Sequence, residues 1–453
     1  MKKSNIPKDV PPKTGEAVTP LAAPSTTDST IINSLVSTSK MYYLIVGTLA
    51  VVVANAVYAY YIQLQNGLIV TGLREPITWG VYLANFIFFI GISHAGTLIS
   101  AILRLSHAEW RRPVTRIAES ITVMAISVGA LFPLIDLGRP DRIAEIFVLG
   151  RIQSPVIWDF ISITTYLTGS TIYLYLPLIP DIAELRDRLT DASPIKKWLY
   201  RTLSLGWTGT ETQKKRLQRG ISAMALIIVP VAVSVHTVVS WAFAMHFREG
   251  WHTAIFGPYF VGGAIFSGIA MLILAMVIFR RAYHLEEYLT KKHFTYLAYL
   301  MLTLNIVMIY FTINEYLTAF YTGKTDDLQW LGLLFSGPFS NLFYTMIVIT
   351  LIVPVFLVAI PKTRTIKGIT VAAILVSIGM WMERYLIVVP TMAQPTLPYP
   401  TGVYTPTWVE ISITAGAFAA FMLLYAIFSK LFPIISRWEI SEGAEESHAH
   451  PTE

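Results

Sequence analysis

Ten long apolar runs decide what this chain can fold into. They lie at roughly 41–61, 78–103, 113–136, 155–179, 219–245, 256–280, 293–320, 338–360, 367–389 and 407–431. A helix of about 20 apolar residues matches the hydrocarbon thickness of a bilayer. The runs are continuous and do not alternate, which excludes a closed barrel of strands. The sequence therefore predicts an all-α integral membrane protein of ten transmembrane helices.

Direction follows from the cations. Of the 34 Lys and Arg residues, 27 fall in the tails and the 2–3, 4–5, 6–7 and 8–9 connections. Only six fall on the opposite side, and Arg384 lies inside a span. That asymmetry puts both termini in the cytoplasm, and the expected location is a bacterial inner membrane. It also accounts for the net charge of +6 without a nucleic-acid partner. Residues 1–40 are rich in Pro, Ser, Thr and Lys and are expected to form a disordered cytoplasmic tail. No apolar core follows the early lysines closely enough for a signal peptide. Residues 432–453 read as a short cytoplasmic C-tail, and 180–218 as the largest cytoplasmic loop. On the other side, 390–408 is uncharged and rich in Pro and Tyr, as expected of a surface covered by another protein or of an interfacial aromatic belt. The chain has no cysteine, so it can hold no disulfide, thiolate-bound metal, cysteine-ligated cluster or cysteine nucleophile.

The polar residues inside the spans carry the functional argument, because an ionisable group in hydrocarbon is costly. His94 sits between two small-residue faces, Gly91 with Ala95 and Gly96 with Ser100, which allow close helix contact. Span 3 holds Glu119 and ends in Asp136-Leu-Gly-Arg139, where the two charges are close enough to close a turn as an ion pair. Span 4 opens at Pro155 and brings Trp158 and Asp159 into its first turns, where the helix dipole also favours a carboxylate. Span 5 carries His236 and Ser240 on one face and leaves through His246, Arg248, Trp251 and His252. Each histidine could equally be satisfied by a neighbouring carbonyl. Span 7 carries Asn305 and Glu315, and span 9 carries Glu383 and Arg384. A buried Glu needs a partner, and Arg384 is the available cation for either glutamate. The polar positions fall into two sets. They predict two four-helix bundles, about 78–245 and 256–389, with two flanking helices.

Several stretches resemble the NrfD / polysulfide-reductase membrane-subunit family and are most similar to the C subunit of alternative complex III. They are GISHAGTLISAILRL (91–105), PLIDLGRPDR (133–142), SPVIWDF (154–160), SVHTVVSW with GWHTAIFGPYFVGGAIFSG (234–268), INEYLTAFYTG (313–323) and MERYLIVVP (382–390). The resemblance implies a quinol site in the first bundle near the outer face. It implies menaquinol or ubiquinol as the bound molecule, with no haem, metal or cluster in this chain. Implied partners are an outer-face iron–sulfur subunit, a multihaem cytochrome c subunit, a paralogous ten-helix subunit and small membrane subunits. Proton translocation coupled to quinol oxidation is the accompanying expectation. His94, Asp136, Arg139 and Asp159 are the catalytic candidates. Trp158, Arg248 and His252, with His94 and Asp159, are candidates for holding the quinol. Glu119, His236, Glu315, Glu383 and Arg384 are candidate proton relays. Members of the family it resembles often carry an acidic residue two positions after the serine of HTVVS, where this chain has Ala242.

Three other functions fit parts of the pattern. One is the membrane subunit of another molybdopterin/iron–sulfur oxidoreductase of the same family. A secondary transporter would suit the span count, but lacks the broken helix pairs expected at a midplane site. A di-haem cytochrome would use His94 and His236 as axial ligands.

Overall fold

A computed structural model describes residues 35, 38–189, 193–395 and 400–440. The expectations for 1–34, for 441–453 and for 396–399 of the uncharged loop lie outside the described residues. The long helices in chain order are α1 (Lys40–Asn66), α2 (Val81–Leu105), α3 (Arg112–Gly129), α4 (Pro155–Arg188) and α5 (Glu211–Ala244), followed by α6 (Phe256–Ala282), α7 (Lys291–Thr322), α8 (Ser340–Ala359), α9 (Ile366–Ala393) and α10 (Trp408–Leu431). No named strand occurs among the described residues.

Nine of these helices are long and apolar enough to cross a membrane, by length and composition. The other is α4, expected from sequence as the fourth span. It has 34 residues, ample length, but its inward stripe is polar, as described below.

Helices α2, α3, α4 and α5 close one ring of packed neighbours, and α6, α7, α8 and α9 close another. Contacts of α6 with α2 and α5, and of α9 with α2, join the rings. Helices α1 and α10 pack on each other at the flank. There the Tyr42 hydroxyl donates to the Ala426 carbonyl (3.2 Å), and the Thr407 hydroxyl donates to the Val70 carbonyl (2.9 Å).

Small residues set the tightest approaches. A Cβ on Gly96 would overlap the Ala118 carbonyl, so only glycine lets α2 lie this close to α3. Gly91 faces α6 instead, near Ser267 and Ala264. Ala95, the second member of that face, lies outside the described side chains.

The face carrying the 2–3 and 4–5 connections and the last described residues, here the terminal face, departs from expectation in two ways. First, the connection read as a loop over 180–218 is mostly helix. α4 continues to Arg188 through Pro177 and Pro180. A ten-residue helix covers Pro194–Leu203, and α5 starts at Glu211. Thr210 and Gln213 form a reciprocal capping box that fixes that start. Second, the segment after α10 is packed rather than a free tail as far as Ile440. Asp181 accepts from Arg116 (2.6 Å) and from the backbone N–H groups of Arg437 (3.3 Å) and Trp438 (3.0 Å). Glu439 pairs with Arg104 and with Arg111, the latter at 3.1 Å. The Arg116–Asp181 pair is almost fully buried. Removing one partner of such a pair costs about 3–5 kcal/mol.

Within α8, a π-helical turn at Val348–Ile352 precedes Pro354. The Asn305 side-chain amide of α7 donates to the Thr350 carbonyl in that turn (3.1 Å).

Candidate functional site

At the opposite face, the ends of four helices surround a cavity of about 490 Å³. α2 and the residue leading into it present Trp79, Tyr82, Leu83 and Phe86. The short helix Phe132–Asp136 that follows α3 presents Phe132, Pro133 and Asp136. α4 presents Pro155, Asp159, Phe160 and Ile163, α5 presents Ala242 and Phe243, and His246 lies two residues past the end of α5. The i, i+1, i+4 spacing on α2 and α4 puts each trio on one helix face, so the two helices aim at one volume. The lining is mostly apolar and aromatic, with Asp136, Asp159, His246 and the Tyr82 hydroxyl as its titratable side chains. That is the build of a small-molecule site: an apolar cleft with few polar groups.

Asp136 and Asp159 each keep a buried carboxylate oxygen, Oδ1, without a hydrogen-bond partner. Buried polar atoms are nearly always paired, so two orphans lining one cavity mark a place built for a ligand. His246 complements them. Its Nδ1 faces the Ala242 carbonyl at 2.5 Å, which fixes the N–H on Nδ1 and leaves Nε2 as an acceptor. The ring stands edge-on to Trp79 (5.7 Å between centroids) and Trp251 (6.0 Å), and the two indoles stack on each other at 5.9 Å. Trp251 is anchored to the second ring, its indole N–H donating to the Ile387 carbonyl of α9 (2.7 Å).

Behind the cavity, Gln63 of α1 acts as a clamp. It accepts from the Tyr82 hydroxyl (2.7 Å) and donates to the Ile135 carbonyl (2.7 Å), fixing the backbone next to Asp136.

The structure separates residues that the sequence grouped. Arg139 does not pair with Asp136. Gly138 takes φ +66°, and the Arg139 N–H closes a three-residue turn on the Leu137 carbonyl (2.7 Å). That turns Arg139 away from the cavity and onto Asp141 (3.0 and 2.9 Å), with its side chain 65% exposed. The Arg139 hydrogen bond holds the Asp141 carboxyl below its ordinary value. Trp158, next to Asp159, points elsewhere, its indole donating to the Ile152 carbonyl. Arg248 reaches the Gln394 carbonyl (3.4 Å), and His252 reaches the Arg248 carbonyl (2.8 Å) from an exposed position. None of these four lines the cavity.

His94 and His236 lie deeper and touch each other. Nε2 of His94 is 3.1 Å from Nδ1 of His236, with ring centroids 3.9 Å apart. No porphyrin fits between rings in direct contact, so the pair cannot be the two axial ligands of one haem. His94 also meets two carbonyls, Ile90 through Nδ1 (2.8 Å) and Ala232 through Nε2 (2.7 Å). A neutral imidazole has one N–H for those two acceptors.

A polar line joins these levels. On α4, Asp159, Ile163, Tyr166, Ser170, Tyr173 and Pro177 recur at steps of four and three, one helix stripe. Tyr166 lies against the His94 ring (4.7 Å) and donates to the Ser93 carbonyl (3.0 Å). Ser170 meets Thr97 (3.5 Å), and Tyr173 meets Ser100 (3.2 Å). Ser100 donates to Glu119 (2.7 Å). The sequence singled out Asp159 and Glu119, the two ends of this line. The tyrosines and serine between them, together with Trp79 and Gln63, went unread.

In the second ring, Glu383 and Arg384 face each other at 3.6 Å, both buried. Glu315 takes a different partner, accepting from the Thr253 hydroxyl (3.1 Å). The three-residue charged cluster expected from sequence is therefore one adjacent pair and a separate acid.

The sequence pattern of the family described as polysulphide reductase, NrfD, matches residues 69–396 of this chain. The chain belongs to that family. Among its relatives, the C subunit of the selenate reductase of Mesobacillus selenatarsenatis is 23% identical over 431 residues, 91% of this chain and 98% of the relative. The Hdr-like menaquinol oxidoreductase integral membrane subunit of Archaeoglobus fulgidus is 24% identical over 426 residues, 90% and 97% of the two chains. A third protein, from Halobacterium salinarum, is provisionally named as the membrane C subunit of a dimethyl sulfoxide reductase and is 29% identical over 233 residues. That match covers about half of each chain, 51% of this one and 50% of the relative. The whole cavity of this NrfD-family chain falls within the matched residues.

Proposed function

We propose that the chain is the quinol-binding membrane subunit of a multisubunit oxidoreductase, with its site in the cavity between α2 and α5. The observation that carries this reading is the pair of unpartnered carboxylate oxygens of Asp136 and Asp159 in an otherwise apolar, aromatic-lined volume. A quinol ring stacks well on such walls and brings two hydroxyl groups that need acceptors. Asp136, Asp159 and His246 Nε2 are the acceptors the cavity offers them. Oxidation breaks two O–H bonds, leaving a quinone, two protons and two electrons. The protons pass to these side chains, and the electrons leave to an iron–sulfur partner docked over the cavity face.

The relative named as a menaquinol oxidoreductase subunit favours menaquinol and quinol oxidation. The polar line from Asp159 through Tyr166, His94 and Tyr173 to Glu119 is the route along which a proton moves through the bundle. The excess of cations on the terminal face supports cytoplasmic termini in a bacterial inner membrane. On this reading α4 is the tenth span, its polar stripe tolerated because it faces the bundle interior. Electron transfer in an alternative complex III, with a multihaem cytochrome and a paralogous membrane subunit, is one setting. A second is supported by the relatives named as selenate and dimethyl sulfoxide reductase subunits. There the complex is a molybdopterin/iron–sulfur enzyme and the same site delivers electrons to a reductase.

A photoreactive menaquinone analogue, crosslinked in the intact complex and mapped by mass spectrometry, tests the site. Labels are expected on α2, α4 and the Phe132–Asp136 helix. Labelling confined to α7 and α9 overturns the assignment.

A further inference from the structure

The junction of α5, α6 and α9 holds a second set of orphaned polar atoms. Arg384 is about 1% exposed, and neither Nη1 nor Nη2 has a hydrogen-bond partner. Oε2 of Glu383 and Nε2 of His236 are likewise buried and unpartnered. These groups belong to different rings of helices, yet α6 brings them together. Phe260 of α6 has the Arg384 guanidinium over its ring at 5.1 Å and the His236 ring 6.4 Å from its centroid. One turn further along α6 is Gly263. A Cβ there would lie 2.5 Å from Nη2 of Arg384, 3.1 Å from Met380 and 3.4 Å from Met308. Glycine at 263 thus makes the room that the guanidinium occupies.

A buried guanidinium with unmet donors costs several kcal/mol unless something accepts from it. The nearest carboxylate, at 3.6 Å, lies beyond ordinary hydrogen-bond range. Water molecules are acceptors small enough for a helix junction and pair with buried polar groups in sites of this kind. The donors of Arg384 and the acceptors of Glu383 and His236 give such waters complementary partners on both sides.

We propose that a short chain of ordered water occupies the α5–α6–α9 junction at Gly263, bound by Arg384, Glu383 and His236, and that it passes protons between the two bundles. A proton on Nε2 of His236 moves to the first water. Each water accepts one proton and gives one on, and Oε2 of Glu383 takes the last. No electron transfer is involved, and Arg384 orders the waters without titrating. The proton-carrying part rests on the quinol reading above, because quinol supplies the protons that reach His94 and His236. The water site itself does not depend on it.

Two measurements on the intact complex test the proposal. A map at a resolution that shows water is expected to contain density bridging Arg384 and His236 Nε2, whether or not the complex oxidises quinol. Protein atoms meeting all four orphaned groups overturn it. Gly263→Ala is expected to remove that density and to lower the protons moved per electron at least twofold in vesicles, with the KM for quinol unchanged. Parental proton movement in an assembled Gly263→Ala complex that has lost the water overturns the conducting role. Should Gly263→Ala fail to assemble, Glu383→Gln supplies the same test. It keeps the side chain's shape and removes the terminal proton acceptor, and an unchanged proton-to-electron ratio then overturns the conducting role. A parent complex that binds no quinol refutes the functional assignment by itself, and the map still decides the water chain.

Discussion

The cavity wall of the first ring and the Arg384 junction of the second bury charge in opposite ways. The first ring leaves carboxylate oxygens of Asp136 and Asp159 unpaired on the wall of a 490 Å³ cavity. The second has Glu383 facing Arg384, with Met308, Met380 and Phe260 packed around the cation. An unpaired carboxylate beside a cavity contributes nothing to stability but is available to a ligand. A carboxylate held beside a cation stabilises its surroundings. The contrast teaches that intramembrane charge is informative only together with its partner. Removing the carboxylates of the cavity wall should therefore cost activity, and removing the Arg384 cation should cost stability.

The largest effect is expected in the first ring. Asp159→Asn and Asp136→Asn each preserve volume and remove a proton acceptor. Quinol-linked turnover of the purified complex should fall about 100-fold or more, the scale of general acid–base catalysis. Yield and thermal stability should stay at parental levels, since each mutated carboxylate has an oxygen with no partner to lose. Loss of assembly in either variant would erase the contrast, because it would mean the carboxylate is structural.

Next comes Arg384→Ala. It leaves Glu383 buried without its cation, at about 3–5 kcal/mol. The complex should assemble poorly or melt well below the parent, and any assembled fraction should retain normal quinol affinity. A stable variant with weakened quinol binding would move the site toward the second ring.

Smaller again is His246→Phe, which keeps a ring beside Trp79 and Trp251 but removes Nε2. Turnover should fall about tenfold, less than for the carboxylates, because two acceptors remain in the cavity. KM should rise modestly. Turnover equal to the parent would leave Asp136 and Asp159 as the whole proton-accepting apparatus.

How much of this was legible beforehand depends on what each residue had to meet. The spans were readable because hydrocarbon thickness sets a length that shows directly in the sequence. Asp136 and Asp159 were readable as charges at helix ends. Their convergence was not, because it depends on the approach of α2 to α3 at Gly96 and on the short helix carrying Phe132 and Pro133. Tyr166, Ser170 and Tyr173 did leave a signal, a polar four-and-three repeat continuing from Asp159. It was hidden because each is an ordinary residue in an apolar run. His246 read as part of a turn. Its tautomer follows from a carbonyl one turn back, visible only once α5 is known to reach Ala244. The Glu383–Arg384 pair was predicted as one of two options. The choice fell to Glu383 because Glu315 already has Thr253.

The smallest expected effect is the sharpest check on where the site ends. Arg139 sits three residues from Asp136, and sequence spacing alone makes it a partner and a catalytic candidate. The turn at Gly138 directs it to Asp141 instead, in an exposed ion pair. Exposed pairs are screened by salt and contribute little. Arg139→Ala should therefore change turnover less than twofold and leave stability within error. The Asp141 carboxyl is held below its ordinary value by Arg139. Whatever the pair contributes is present at neutral pH and is lost as pH falls through that lowered value. The difference between parent and Arg139→Ala should accordingly vanish in acid and in high salt. Two results would contradict this placement. A large loss of turnover at neutral pH would mean that Arg139 swings to Asp136 when quinol or the iron–sulfur partner binds, and Asp136 would then carry a cation in its working state. A loss of partner binding without a change in quinol affinity would assign Arg139 to the docking face. Only an unchanged turnover keeps the boundary drawn here, with the proton-accepting wall ending at Asp136 and the exposed turn beginning at Gly138.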